Sequence, residues 1–251
     1  MKVSKFRTFW IMLLSTIYTL NTTGQSTLRR WLGTINRPWI DATLHLWERR
    51  ILKLVRVTCV VINPHHVEPK QGQPTIIMCN HSSLYDIPLS MRAFPNHSIR
   101  MLAKKEMSRI PIVGKGMTAA EFPFVDRKNR RQAMQDLEQV KQLLNSGIVM
   151  WIAPEGTRSK DGKIAPFKKG GFITAIESKA TIIPVGIRGA YDILPARTYQ
   201  FNIHQTAEVH IGLPIDASQF TLENKDKLIA QVFQSIKNMV EPREDGGPMG
   251  C

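Results

Sequence analysis

An α/β domain with a largely parallel or mixed sheet flanked by helices is the fold class this sequence predicts. Short apolar, β-branched runs alternate with helical segments from residue 58 onward. No pair of cysteines stands at the spacing of a redox or metal motif, and the three present (Cys59, Cys79, Cys251) are too few and too scattered for a disulfide scaffold. At 251 residues and 43% apolar content the chain can bury one sizeable core.

The elements follow in order. Residues 1–57 read as two helices carrying interface chemistry. Phe9–Leu20 is an apolar run of 12, short of the roughly 20 residues that a full crossing needs. Lys2, Lys5 and Arg7 precede it, as they would in a signal peptide, but no A-x-A-like site follows. Leu28, Leu32, Ile35, Trp39, Ala42 and Leu46 then recur at helical spacing, with Gly33 and Pro38 weakening the helix between them. A monotopic membrane-associating pair of helices is the favoured reading. A single span and a helix packed on its own domain are the alternatives. Beyond this region, strands are expected at Thr58–Ile62, Thr75–Cys79, Ile99–Ala103, Ile148–Ile152, Thr181–Ile187 and Glu208–Ile211. Helices are expected at Tyr85–Phe94, Arg127–Asn145, Gly170–Ser178 and Thr221–Val240. These make a catalytic domain over 58–240, and residues 241–251, with two prolines and three glycines, read as a disordered tail.

Charge separates the same regions. The formal net charge is +14. Residues 1–60 hold ten Lys/Arg against Asp41 and Glu48, a net +8, and four of the five tryptophans (Trp10, Trp31, Trp39, Trp47). Indoles among basic side chains suit an anionic lipid surface. The remaining +6 is interspersed with acids, so nucleic acid is not the expected partner.

Two motifs carry chemistry. Asn80-His81-Ser82-Ser83-Leu84-Tyr85-Asp86 follows the apolar strand ending at Cys79. A carboxylate folded back onto the imidazole of such a turn fixes its tautomer and makes a general base; alone, the spacing is weak evidence. Pro154-Glu155-Gly156-Thr157-Arg158-Ser159 follows the strand ending at Ile152, at the carboxyl end where open α/β sheets bind ligands. Gly156 permits close backbone approach, while the Thr157 hydroxyl and the Arg158 guanidinium can donate to phosphate. Between and after them lie Lys104-Lys105-Glu106 with Pro111 and Gly114, Phe124-Val125-Asp126-Arg127, Pro166–Gly171 and Ile182-Ile183-Pro184-Val185. No G-x-S-x-G elbow, phosphate-binding GK[ST] loop or G-x-G-x-x-G element occurs, and no His/Cys set has metal-ligand spacing, so no metal is expected.

The ordered set, across Cys79 to Val185, resembles the glycerolipid acyltransferase family, the bacterial 1-acylglycerol-3-phosphate acyltransferases in particular. Met107 and Ala153 stand where leucine and phenylalanine are common, two mild departures. The resemblance implies transfer of an acyl chain from acyl-CoA or acyl-carrier protein to the free 2-hydroxyl of lysophosphatidic acid, giving phosphatidic acid for phospholipid synthesis. Other acyl acceptors (glycerol 3-phosphate, a lysophospholipid, an amine lipid) are the alternative. His81 would take the hydroxyl proton and Asp86 would orient it. Arg127 and Arg158, with Lys105 next, would hold the phosphate. Glu155 would bond the acceptor's glycerol hydroxyl or hold Arg158 in place, and Lys168 would meet a phosphate or lie on a solvated face. No cofactor is implied beyond the acyl donor as co-substrate. The expected location is the cytoplasmic face of the cell inner membrane.

Overall fold

The computed structural model describes residues 2–126 and 128–241. Arg127 and the tail beyond Glu241, both singled out above, lie outside the described residues.

Helix α1 (Lys5–Trp31) starts at Ser4, whose hydroxyl accepts the Arg7 N–H, and it ends at Leu32 just before Gly33, which takes a positive φ of 67°. Helix α2 (Arg37–Val55) starts where the Asn36 side chain accepts the Trp39 N–H, with Pro38 in its first turn. The helical periodicity from Leu28 to Leu46 therefore spans two helices, broken at 32–36. Each contributes a face, which is why the pattern reads as continuous. Arg29 stacks over Trp39 at 4.6 Å, Arg50 over Tyr18 at 5.3 Å, and Trp47 donates to Thr19 Oγ1, so the two helices are laced along their length.

Strands β1 (Thr58–Ile62) and β2 (Thr75–Cys79) match the expected bounds. After helix α3 (Asp86–Ala93), the single strand expected at Ile99–Ala103 divides into β3 (Ile99–Met101) and β4 (Ala103–Lys104). At Leu102 the chain leaves the main sheet. Ala103 N–H turns to Pro123 O, and β4 pairs with β5 (Phe124–Val125) in a separate ribbon. Between them come a 3₁₀ turn (Lys105–Arg109) and helix α4 (Val113–Ala119), neither of which shows a clear hydrophobic period. Then follow α5 (Arg130–Asn145), β6 (Val149–Ile152), α6 (Gly170–Glu177), β7 (Thr181–Arg188) and α7 (Ala190–Ile193). The chain continues with β8 (Thr206–Ile211), β9 (Ile215–Asp216) and α8 (Lys225–Val240).

The main sheet runs β1-β8-β7-β2-β6-β3, with β9 on β7. Pairs β1–β8, β2–β7, β2–β6 and β3–β6 are parallel, and β7–β8 and β7–β9 are antiparallel, so the sheet is mixed with a parallel centre. All of β2 is buried, as a strand covered on both faces must be. Ile77 and Cys79 face one core with α2 and α3; Ile76 and Met78 face the other with α5, α6 and α8. Ile51, Leu52 and Val55 of α2 belong to the first core, and α1 adds Ile11. At Gly116 of α4 an added Cβ would sit 2.3 Å from the Thr23 backbone oxygen, so α1 and α4 touch backbone to backbone. The N-terminal helices thus share the core of the sheet domain. No described helix is long and apolar enough to cross a membrane, which removes the single-span alternative.

Candidate functional site

Strands β2 and β6 are neighbours in register, with Ile77 opposite Trp151 and Met78 opposite Ile152. Both motifs therefore leave the sheet side by side at its carboxyl edge. The Asn80 side chain anchors the first of them. It donates to Ile187 O and accepts from Ile187 N–H on the flanking β7.

Asp86 is wholly buried at the start of α3. Its Oδ2 accepts from Ser82 N–H (2.7 Å), Ser83 N–H (2.8 Å) and His81 Nδ1 (2.8 Å). A carboxylate can only accept, so the His81 proton sits on Nδ1 and Nε2 is left as the acceptor. Nε2 has no partner among the described residues, and the ring is 16% exposed. The ring stands edge-to-face against Trp151, with centroids 5.7 Å apart. Trp151 Nε1 donates to Ser90 Oγ, which donates to the Asp86 carbonyl. This support was not foreseen, because Trp151 and Ser90 read in the sequence as ordinary strand and helix interior. Ser82 and Ser83 serve the turn: their N–H groups hold Asp86, and the buried Ser83 hydroxyl donates to Leu194 O.

Glu155 is held by backbone rather than by Arg158. It is buried, its Oε1 accepts the His81 N–H (2.7 Å) and its Oε2 accepts the Ala165 N–H (2.9 Å). Both oxygens are thus turned to backbone, and no Glu155–Arg158 ion pair forms. Burial pushes its carboxyl above the usual range, opposed by those two N–H bonds. Ser159 N–H returns to His81 O at 2.7 Å. The histidine's peptide is therefore clamped from both sides by the second motif.

The loop after Glu155 closes through Lys168 N–H on Pro154 O. Gly156 has φ 74°, and a Cβ there would meet the Lys168 side chain at 3.0–3.2 Å, so Lys168 lies over the motif. Thr157 and Lys168 are exposed. Lys105 stands in the 3₁₀ turn, 3.4 Å from Asp126. Arg158 is half-buried and makes no hydrogen bond or ion pair among the described residues. Its position is the wall of a cavity of about 700 Å³ bounded by α1, α2, α3 and α4. Methionines and other apolar side chains line most of it, joined by a row of Ser/Thr from α1 (Ser15, Thr19, Thr22, Thr23, Ser26). Several of these hydroxyls are satisfied by carbonyls four residues earlier: Thr19 by Ser15, Thr23 by Thr19 and Ser26 by Thr22. An apolar cavity of this size beside a poised base fits a lipid chain.

Comparison with known proteins bears on the same residues. The family model described as Acyltransferase matches residues 59–188, over half of the chain. The mouse protein named 1-acyl-sn-glycerol-3-phosphate acyltransferase alpha is 28% identical over 173 residues, 68% of this chain and 60% of its own length. A coconut protein named 1-acyl-sn-glycerol-3-phosphate acyltransferase is 34% identical over 132 residues, 51% of this chain and 42% of its own. The chain thus spans less than two thirds of either relative. A crystal structure of PlsC from Thermotoga maritima, titled a 1-acyl-sn-glycerophosphate (LPA) acyltransferase, superposes with a TM-score of 0.76 at 26% identity. That match covers 93% of both chains.

Proposed function

The chain belongs to the acyltransferase family, and from that membership we propose that it acylates the free 2-hydroxyl of lysophosphatidic acid, forming phosphatidic acid. The observation that carries this reading is the His81–Asp86 pair, 2.8 Å apart, with Asp86 buried and Nε2 unpartnered among the described residues. His81 Nε2 takes the hydroxyl proton, and Asp86 stabilises the imidazolium that results. The alkoxide attacks the thioester carbonyl directly. The intermediate collapses, and the departing thiolate recovers the proton from His81. No acyl-enzyme forms, in keeping with the Ser83 hydroxyl being committed to Leu194 O. The reaction consumes acyl-CoA or acyl-carrier protein as co-substrate and needs no further cofactor.

Arg158, without an internal partner among the described residues, supplies a fork for the acceptor phosphate, with Lys105, Lys168 and Arg127 assigned there by their motifs. Glu155 holds the His81 peptide. The cavity receives an acyl chain.

The protein works at a lipid surface, the cytoplasmic face of the inner membrane. Support comes from the outer side of α1 and its turn into α2, where Phe6, Phe9, Trp10, Leu28, Trp31 and Leu32 are exposed, Trp31 at 80%. Lys5, Arg7, Arg29 and Arg30 stand among them. Removing residues 1–57 cannot test this, because α2 is part of the core. Replacing Phe9, Trp10 and Trp31 by Ser in the full chain should release it from anionic phospholipid vesicles. Undiminished binding would move the lipid contact elsewhere. The activity itself is tested by a panel of acceptors and acyl donors with mass detection of the lipid product. Phosphatidic acid should dominate; turnover confined to a different acceptor would overturn the substrate.

A further inference from the structure

The cavity has two charged side chains among its described lining residues, Arg158 and Arg197, and no carboxylate. Arg158 belongs to the second motif. Arg197 belongs to no motif and lies on the loop between α7 and Phe201. We propose that Arg197 is a further cation for the acceptor's phosphate, and that its pairing with Arg158 on the cavity wall selects a phosphate monoester over a phosphodiester. This rests on the acyl-transfer reading above.

Several observations place Arg197 for the role. Its loop is anchored to the catalytic turn, because the Ser83 hydroxyl donates to Leu194 O (2.8 Å) while Ser83 N–H holds Asp86. Leu84 and Tyr85 of that turn and Leu194 of the loop line the same cavity, so the turn that carries the base and the loop meet at one space. The loop has a defined shape. Thr198 Oγ1 donates to Pro195 O, Gln200 N–H donates to Thr198 Oγ1, and Asn202 N–H donates to Ile193 O. Arg197 takes a positive φ of 61°, a backbone state that a side chain rarely adopts without a reason. It is exposed and has no hydrogen bond or ion pair among the described residues.

Charge then decides between ligands. A phosphate monoester carries about −1.5 to −2 at neutral pH, whereas a diester carries a single negative charge. Two guanidinium forks on a cavity wall that carries no other charged side chain among the described residues match the first and are in excess for the second. Arg197 would thus be a specificity residue. It touches neither the reacting hydroxyl nor His81.

The test is steady-state kinetics of Arg197→Gln and Arg197→Lys in the full chain, with lysophosphatidic acid, its phosphate methyl ester and acyl-CoA varied in turn. Arg197→Gln should raise KM for lysophosphatidic acid about tenfold, the scale of one charge-assisted hydrogen bond. The preference for the free phosphate over its methyl ester should fall by a similar factor, KM for acyl-CoA should not move, and Arg197→Lys should recover part of the loss. A rise in KM for acyl-CoA instead would assign Arg197 to the donor and overturn the proposal. So would a loss of binding to anionic vesicles that accounts for the KM change, or unchanged kinetics. Wild-type protein that forms no phosphatidic acid would overturn the acyl-transfer reading itself, which these outcomes leave standing.

Discussion

The turn that carries His81 and the rim that carries Arg158 and Arg197 are built on opposite principles. In the turn, every polar group of His81 but Nε2 is spoken for, although Asp86 Oδ1 is buried without a partner among the described residues. Asp86 Oδ2 takes three donors, Glu155 takes the His81 N–H, and Ser159 N–H takes the His81 carbonyl. On the rim, two guanidinium groups have no internal partner among the described residues. The difference follows from what each must do. A general base works from one fixed position, so its hydrogen-bonding capacity is consumed in holding it still, apart from the Nε2 that meets substrate. A cation that binds phosphate must be left unpaired, because an internal carboxylate would compete with the ligand. Saturation thus marks the positioned group, and vacancy marks the binding group.

Asp86→Asn attacks the saturated side. An amide cannot accept three donors and presents its own N–H to Nδ1, which reverses the tautomer. Steady-state assays should show kcat falling about 10³- to 10⁴-fold, as in other His–carboxylate pairs; a loss confined to KM would remove Asp86 from tautomer control. Arg158→Ala attacks the vacant side. Its kcat/KM for the phosphate acceptor should fall about 10- to 100-fold, with an unchanged Tm because no internal bond is lost. A lower Tm would show that Arg158 is structural after all.

Glu155→Gln tests whether the clamp stabilises the fold. The amide loses one of two acceptor positions, for about 1–3 kcal/mol of stability in urea unfolding. Burial raises the Glu155 carboxyl in the folded state, so its contribution is fully present below the ordinary carboxyl range and declines as pH rises through the raised value. The stability gap between wild type and variant should therefore narrow from acidic to neutral pH, and a widening gap would contradict the assignment. The smallest effect belongs to Thr19→Val, which removes the acceptor for Trp47 Nε1 at the α1–α2 contact. It should cost about 0.5–1.5 kcal/mol and leave kcat alone; a kcat loss would tie the helix pair to the chemistry.

Legibility in the sequence divides along similar lines. Strands β1 and β2 were readable to the residue because apolar, β-branched runs end abruptly at them. The turn was readable because His81 and Asp86 are close in sequence and their chemistry is local. Two things escaped. The segment from Ala103 to Ala119 changes sheets and then coils, and it carries no sustained period to betray either event. Residues such as Trp151 and Arg197 meet the site only through the fold: Trp151 reads as strand core, and Arg197 lies over a hundred residues from His81 with no motif around it. Glu155 was found by its motif, but the sequence could not show that both its oxygens would turn to backbone. The helix periodicity at Leu28–Leu46 was likewise real, and it spanned a break that only Gly33 and Pro38 hinted at.

The central claim, a His81 base serving acyl transfer to a lysophosphatidate, meets its most direct test in one paired assay. Wild type and His81→Ala, each shown folded by circular dichroism, are given acyl-CoA and lysophosphatidic acid, and phosphatidic acid is quantified by mass spectrometry. Wild type should form it and His81→Ala should not. Product from the variant at the wild-type rate would contradict the base assignment, and no product from wild type with any acyl donor would contradict the activity.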